Sequence, residues 1–358
     1  MTTFSHAGQL ACECGPLSAD PSIAPQDNMR LAAGFGLSLL TQTLILVALP
    51  TAARILAPQA GWAGVPYALW LLGSMVASFP ASLLDGLFGR RTAFALGGSL
   101  GIAGGLLAAW SFMAGQFVPL GLGAFWLGLA QGFGLYYRHA ALGGGGRKAL
   151  AQLSGAGALV MILAPALTDI FVRDKLFAPA HLFLGAGSIS VLAVAVALTL
   201  PAAPAAYEER VRVKISAGVF WGTSLCAGLA WYVMTVLMGK APGWLAGCGL
   251  GAAPITGLIA WHMLAMYIPS AVLMPFIDKI GFKLWTGAGL AALGAAYGLT
   301  LEAGLVPIGL ALTLGGCGWS LATSGAMMRL YQQGLPLRRI IAAQDGLIFL
   351  GAVLGALA

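Results

Sequence analysis

Leu84-Asp85-Gly86-Leu87-Phe88-Gly89-Arg90-Arg91 closes the second long apolar run of the chain, and Ile277-Asp278-Lys279-Ile280-Gly281-Phe282-Lys283 closes the second such run after the midpoint. Both put an acid, a glycine and basic residues where an apolar segment stops. The glycine supplies a turn that other residues enter only at a cost, and the charges cannot follow the apolar run into hydrocarbon. The two aspartates are 193 positions apart (278 − 85). A marker repeated at that distance predicts two halves with one plan, as in carriers built from internal repeats.

Composition says in which solvent those halves fold. Of 358 residues, 59% are hydrophobic and 8% charged, with mean hydropathy +0.89. That excludes an ordinary soluble domain and predicts a polytopic, all-α membrane protein. The 52 glycines suit close helix approach in a bilayer. Charge-poor stretches long enough to span about 30 Å of hydrocarbon fall near 31–53, 62–84, 92–113, 116–137, 149–171, 180–201, 215–239, 254–276, 283–301, 304–327 and 340–358. With the N-terminus inside, fourteen of the 18 Lys and Arg face the cytoplasm. Only Arg54, Arg173, Lys175 and Lys240 face the other side. This skew is the positive-inside rule, and it also accounts for the net charge of +7 without nucleic acid.

Residues 1–30 carry Glu13, Asp20 and Asp27 and no basic start, so they read as a flexible cytoplasmic tail and not as a signal peptide. A helical bundle is expected over 31–201. The charged stretch 202–214, with Pro204 and Glu208-Glu209-Arg210, reads as a cytoplasmic linker, and a second bundle follows over 215–358.

Two side-chain pairs stand out on consecutive spans: Met234-x-x-x-Met238 and His262-x-x-x-Met266. A four-residue spacing places each pair on one helix face. Three thioethers and an imidazole are soft ligands that suit monovalent copper. A helix rise of 1.5 Å puts Met266 about 18 Å from the Asp278 end, His262 about 6 Å beyond it, and Met234 and Met238 about 30 and 36 Å from Lys214. The expectation is a series of stations, with Met238 and Met234 outermost and Met266 innermost, and not one cage. The blander reading is hydrophobic filler for the methionines and an interhelical hydrogen bond for His262; it is preferred for Met263, Met274, Met327 and Met328, with an inner exit station as the alternative for Met327-Met328. Cys226, Cys317 and Cys248 are second-tier ligands, and their spacing forms no zinc or disulfide pattern.

The Asp85 and Asp278 motifs resemble the loop signature of the major facilitator superfamily, although Ala81 replaces the first glycine and Asp85 stands four residues before Gly89 where three is usual. The resemblance covers residue 31 to the end. It implies two pseudo-symmetric six-helix bundles, a central path and alternating access, with twelve spans against the eleven read here. Within that superfamily the two ligand pairs look like those of CcoA-type copper importers of proteobacteria, which supply cbb3-type cytochrome c oxidase. Met263-Leu-Ala-Met266-Tyr-Ile-Pro269-Ser270, Gly318-Trp319 and Gln344-Asp345 add to that likeness, and flavin carriers share the last features. The resemblance implies copper import across the inner membrane, with cytoplasmic copper chaperones or oxidase assembly factors receiving the metal.

Asp85 with Arg90 and Arg91, together with Asp278, is expected to latch one access state. Asp345 is a candidate for proton coupling or, preferably, an ion pair with Arg338, Arg339 or Arg329. Arg138 would serve the substrate in an organic anion carrier, and here it is expected to snorkel to the interface. No phosphate-binding loop and no catalytic constellation occurs, so neither ATP-driven transport nor an enzyme is expected, and no cofactor is implied. Two alternatives stand beside copper import. One is a carrier of a flavin-like compound held by Trp261, His262 and Tyr232, and the other is a non-transporting copper-sensing membrane partner.

Overall fold

A computed structural model describes residues 25–171, 178–201, 212–250, 252–302 and 304–358. Most of the N-terminal tail and all but the last residues of the expected linker lie outside these ranges.

The described chain is almost wholly helical: α1 (Pro25–Leu56), α2 (Val65–Met113), α3 (Phe117–Phe171), α4 (Ala178–Leu198), α5 (Ala217–Gly247), α6 (Ala252–Leu273), α7 (Ile277–Ile280), α8 (Phe282–Leu299), α9 (Leu305–Tyr331) and α10 (Arg338–Leu357). Eight helical stretches are apolar and long enough to cross a membrane. Two of them, α2 with 49 residues and α3 with 55, are twice the needed length. Each is broken at one glycine of positive φ, Gly89 (81°) and Gly146 (59°), so each crosses twice. With α8 this makes eleven crossings among the described residues, as the hydropathy reading expects.

Gly281 has φ 80° against 81° at Gly89. The sequence repeat is therefore a repeat of backbone shape, at a conformation that side chains with a Cβ rarely adopt.

Helices α1 to α4 pack chiefly on one another, as do α5, α8, α9 and α10. The most extensive contacts across the sets are α3 against α6 and α2 against α10. Close approach depends on small residues. A Cβ on Gly128 would lie 1.9 Å from the Trp70 carbonyl oxygen, and one on Gly289 would lie 2.4 Å from the Ala322 nitrogen. Without a hydrophobic drive between helices in lipid, such contact supplies the dispersion and backbone proximity that hold them. Large apolar side chains such as Phe79, Leu159, Ile162 and Leu225 point outward, as a lipid-facing surface requires.

Candidate substrate cavity and its latches

Between the two helix sets lies a narrow space of about 10 Å³, lined from one side by Gln42, Tyr67, Trp70 and Gln131 and from the other by Trp231, Met234, Thr235, Met238, Met263 and Met266. Four thioethers thus share one cavity. All four methionines are buried, at 1 to 6% exposure.

This corrects the expectation of separated stations for Met234, Met238 and Met266. The helix-rise count took Lys214 and Asp278 as helix ends of equal depth. Val213 instead forms an extended bridge with Pro336, and Asp278 sits on α7, beyond the Met274–Phe276 turn. Side-chain direction does the rest. Long helical side chains lean toward the N-terminus of their own helix, and α5 and α6 run in opposite directions. The methionines of the two helices therefore lean toward each other. Met263, which the sequence reads as filler, lines the cavity with Met266. The signal was its three-residue spacing from Met266, which also shares a helix face.

His262 is not among the lining residues. Its ring is fully buried, and Nδ1 donates to the Leu312 carbonyl oxygen at 2.6 Å, an oxygen that can only accept. The proton therefore sits on Nδ1, and Nε2 keeps a free lone pair with no hydrogen-bond partner. The His262 ring lies beside Gly315 of α9, where a Cβ would come within 3.8 Å of its Cε1, an ordinary contact, and within 2.8 Å of Leu237 Cδ1. His262 and Met266 thus do not open on one space, although the imidazole nitrogen is left in the ligand-ready tautomer.

The second-tier thiols lie elsewhere. Cys226 lines a groove with Thr223, Phe282 and Thr286, Cys317 is half-buried away from both inter-bundle cavities, and Cys248 is exposed where α5 ends. Among the described residues no group of three or more His, Cys, Asp and Glu is assembled for a metal. The soft donors are the thioethers. Trp261 is half exposed and donates to Thr313. The aromatic side chains on the cavity are Tyr67, Trp70 and Trp231, not Trp261 or Tyr232.

Toward the end of the molecule that carries the Asp85 and Asp278 motifs, Met266 also borders a second space of about 30 Å³, with Phe35, Arg138, Leu150, Ser154, Tyr267, Ser270, Trp319, Thr323, Ser324 and Met327. Met327, for which the sequence offers filler or an inner exit station, continues the line of thioethers. Arg138 is 8% exposed and so does not snorkel, because α3 continues past it to Gly146 before turning.

The charged motifs meet across the two helix sets at the same end. Asp85 pairs with Arg338 at 2.5 Å, not with Arg90 or Arg91, and the Ser82 hydroxyl donates to the Arg338 carbonyl oxygen at 3.1 Å. Asp278 pairs with Arg147 from the α3 turn. Asp345 pairs with none of the three arginines. It meets His139 Nε2 at 3.0 Å, and His139 Nδ1 meets the Tyr331 hydroxyl at 2.8 Å. A carboxylate oxygen accepts, so His139 Nε2 donates to Asp345, while Nδ1 and the Tyr331 hydroxyl stand within hydrogen-bond distance of each other. His139, on α3, stood in no motif that would have marked it. Arg329 instead lies over the Phe282 ring at 4.4 Å.

No family model matches the sequence. The chain is 29% identical over 280 residues to the riboflavin transporter RfnT of Brucella anthropi, covering 73% of this chain and 69% of that one. It is 27% identical over 290 residues to YddS of Bacillus subtilis, an uncharacterized transporter of the major facilitator type, covering 72% and 66%. Among solved structures, the proton:xylose symporter XylE superposes with TM-score 0.72 at 13% identity, covering 92% of this chain and 87% of that one. The human organic anion transporter MFSD10 superposes with TM-score 0.68 at 16% identity, covering 93% and 92%. The fold is that of the major facilitator superfamily, and the relatives support a secondary transporter of that superfamily.

Proposed function

We propose that the chain imports copper, as the monovalent ion, across the bacterial inner membrane with its N-terminus in the cytoplasm. The observation that carries this reading is the convergence of Met234, Met238, Met263 and Met266 on one enclosed space between the helix sets. Neutral thioethers bind a soft cation without losing a proton, and they hold it loosely enough to release it. Met266 borders both cavities, and Met327 lies on the second, so a ligand track runs toward the latched end. His262, one residue from Met263, offers an imidazole nitrogen once small movements of α6 and α9 bring it round.

Alternating access then has a local meaning. Opening toward the latched end requires breaking Asp85–Arg338, Asp278–Arg147 and His139–Asp345, which all bridge the two sets. The cytoplasmic copper chaperones or oxidase assembly factors of the sequence reading would receive the ion there. In cells, radioactive copper accumulation should fall at least about tenfold in Met234→Leu/Met266→Leu, the loss expected when a site gives up ligands worth 1.4 kcal/mol or more. Unchanged accumulation removes the copper reading. Purified chain in sealed vesicles separates carrier from sensor, because a sensor binds copper without moving it.

The second reading is a flavin-like substrate. It is favoured by the RfnT likeness and by indole N–H groups of Trp70 and Trp231 that line the cavity without a hydrogen-bond partner. Against it stands the size of the space, about 10 Å³, far below that of pockets that enclose organic ligands. Riboflavin uptake by the same vesicles decides between them.

A further inference from the structure

Arg138 is a guanidinium held inside a membrane-spanning bundle without a carboxylate. Its Nε donates at 3.2 Å to the Leu135 carbonyl oxygen of its own helix, and among the described residues its other donors meet no protein acceptor. It borders the second cavity, about 30 Å³, and no acidic side chain lines that space.

The other unused groups on the same walls are also donors. The Trp319 indole nitrogen is buried with no partner. The hydroxyls of Ser154 and Tyr267, on residues 6% and 4% exposed, make no hydrogen bond among the described residues. By contrast, the Thr323 and Ser324 hydroxyls already give their protons to the Trp319 and Ser320 carbonyl oxygens, at 2.7 and 2.5 Å. Ser270 is engaged with Ser320 at 2.7 Å. The cavity therefore presents one fixed positive charge and three unspent N–H or O–H donors drawn from both helix sets. Such a set complements an anion, since buried donors are costly to leave unmade and an unpaired charge more so.

We infer that this cavity is a binding site for a small monovalent anion, a halide or a short carboxylate, held by Arg138 with Ser154, Tyr267 and Trp319. Arg138 gives the charge, and the three neutral donors shape a shell for a single small ion. Met266 forms the wall shared with the methionine cavity, so the anion would sit beside whatever cation the thioethers hold. If that cation is copper, the neighbouring anion neutralises it and the pair moves as a neutral unit; this consequence alone rests on the function proposed above.

The site is tested without copper, on purified full-length chain, by the line broadening of chloride-35 resonance. Wild-type protein should broaden the signal saturably, with displacement by bromide or acetate; whichever displaces more strongly identifies the physiological class. Arg138→Gln should weaken binding roughly tenfold or more, the loss expected for a charge-assisted hydrogen bond, while Arg138→Lys should retain most of it. Equal broadening by wild type and a folded Arg138→Gln overturns the inference. Should that variant not fold, the wild type still decides, because broadening that rises linearly without saturation or displacement overturns it as well. In vesicles, copper uptake should be faster in chloride than in gluconate, and the difference should vanish in Arg138→Gln. Saturable chloride binding with no copper uptake would keep the anion site and remove the copper reading.

Discussion

Arg338 reaches Asp85 across 253 positions of sequence and meets its carboxylate at 2.5 Å, tying the last helix of the chain to the second. The guanidinium crosses directly over Gly86, where a Cβ would come within 2.9 Å of Nε. Asp85 and its neighbour Gly86 therefore serve one contact, one as partner and the other as clearance. Removing one member of a buried pair costs about 3–5 kcal/mol, because the survivor stays buried and charged.

From this, Asp85→Asn should shift the molecule toward states open at the latched end. A cysteine placed at Thr323, on the wall of the second cavity, should then label faster with a membrane-impermeant maleimide applied from that side. The swapped pair Asp85→Arg/Arg338→Asp should slow labelling again. Labelling that does not respond to Asp85→Asn would show that the pair is not a latch.

The methionine cavity separates residues that the spacing alone would have ranked otherwise. Met263→Leu should reduce copper uptake as much as Met266→Leu, by about tenfold or more. Met274→Leu should leave it unchanged, because Met274 is fully buried but lines neither inter-bundle cavity. Leucine conserves volume, at a cost below about 1.5 kcal/mol, so the fold is spared in all three. Equal uptake by Met263→Leu and wild type would take Met263 out of the ligand set.

His139 and Asp345 give a stability cycle. His139→Leu leaves the Asp345 carboxylate buried at 7% side-chain exposure with its partner gone, and should lower the melting temperature. Adding Asp345→Leu removes the stranded charge and should recover most of the loss. A double variant less stable than the sum of the singles would contradict the direct pairing of these side chains.

Helix contact at glycine predicts a further contrast. Gly128→Ala forces a methyl to within 1.9 Å of the Trp70 carbonyl oxygen, so α2 and α3 must separate, at about 1–3 kcal/mol or more. Gly257→Ala meets nothing within 4 Å and should be tolerated. Thermal melting of the two purified variants checks the ranking.

Sequence by itself determined the crossings, the repeat and the identity of most of the soft ligands. Hydropathy measures transfer into hydrocarbon and needs no tertiary contact, which is why all eleven crossings were legible. Gly89 and Gly281 were legible as turns because positive φ is a local demand, met by a residue without a Cβ. What only tertiary structure decided was partnership. Asp85 could have met any nearby arginine, and helix packing chose Arg338. Asp345 met His139, a residue with no motif around it. Arg138 looked like an interfacial cation, and its burial followed from a helix that runs on to Gly146. The methionines looked separated because depth counted along one helix ignores how antiparallel neighbours lean together. Directions of side chains across helices belong to the packed molecule, and a one-dimensional spacing does not contain them.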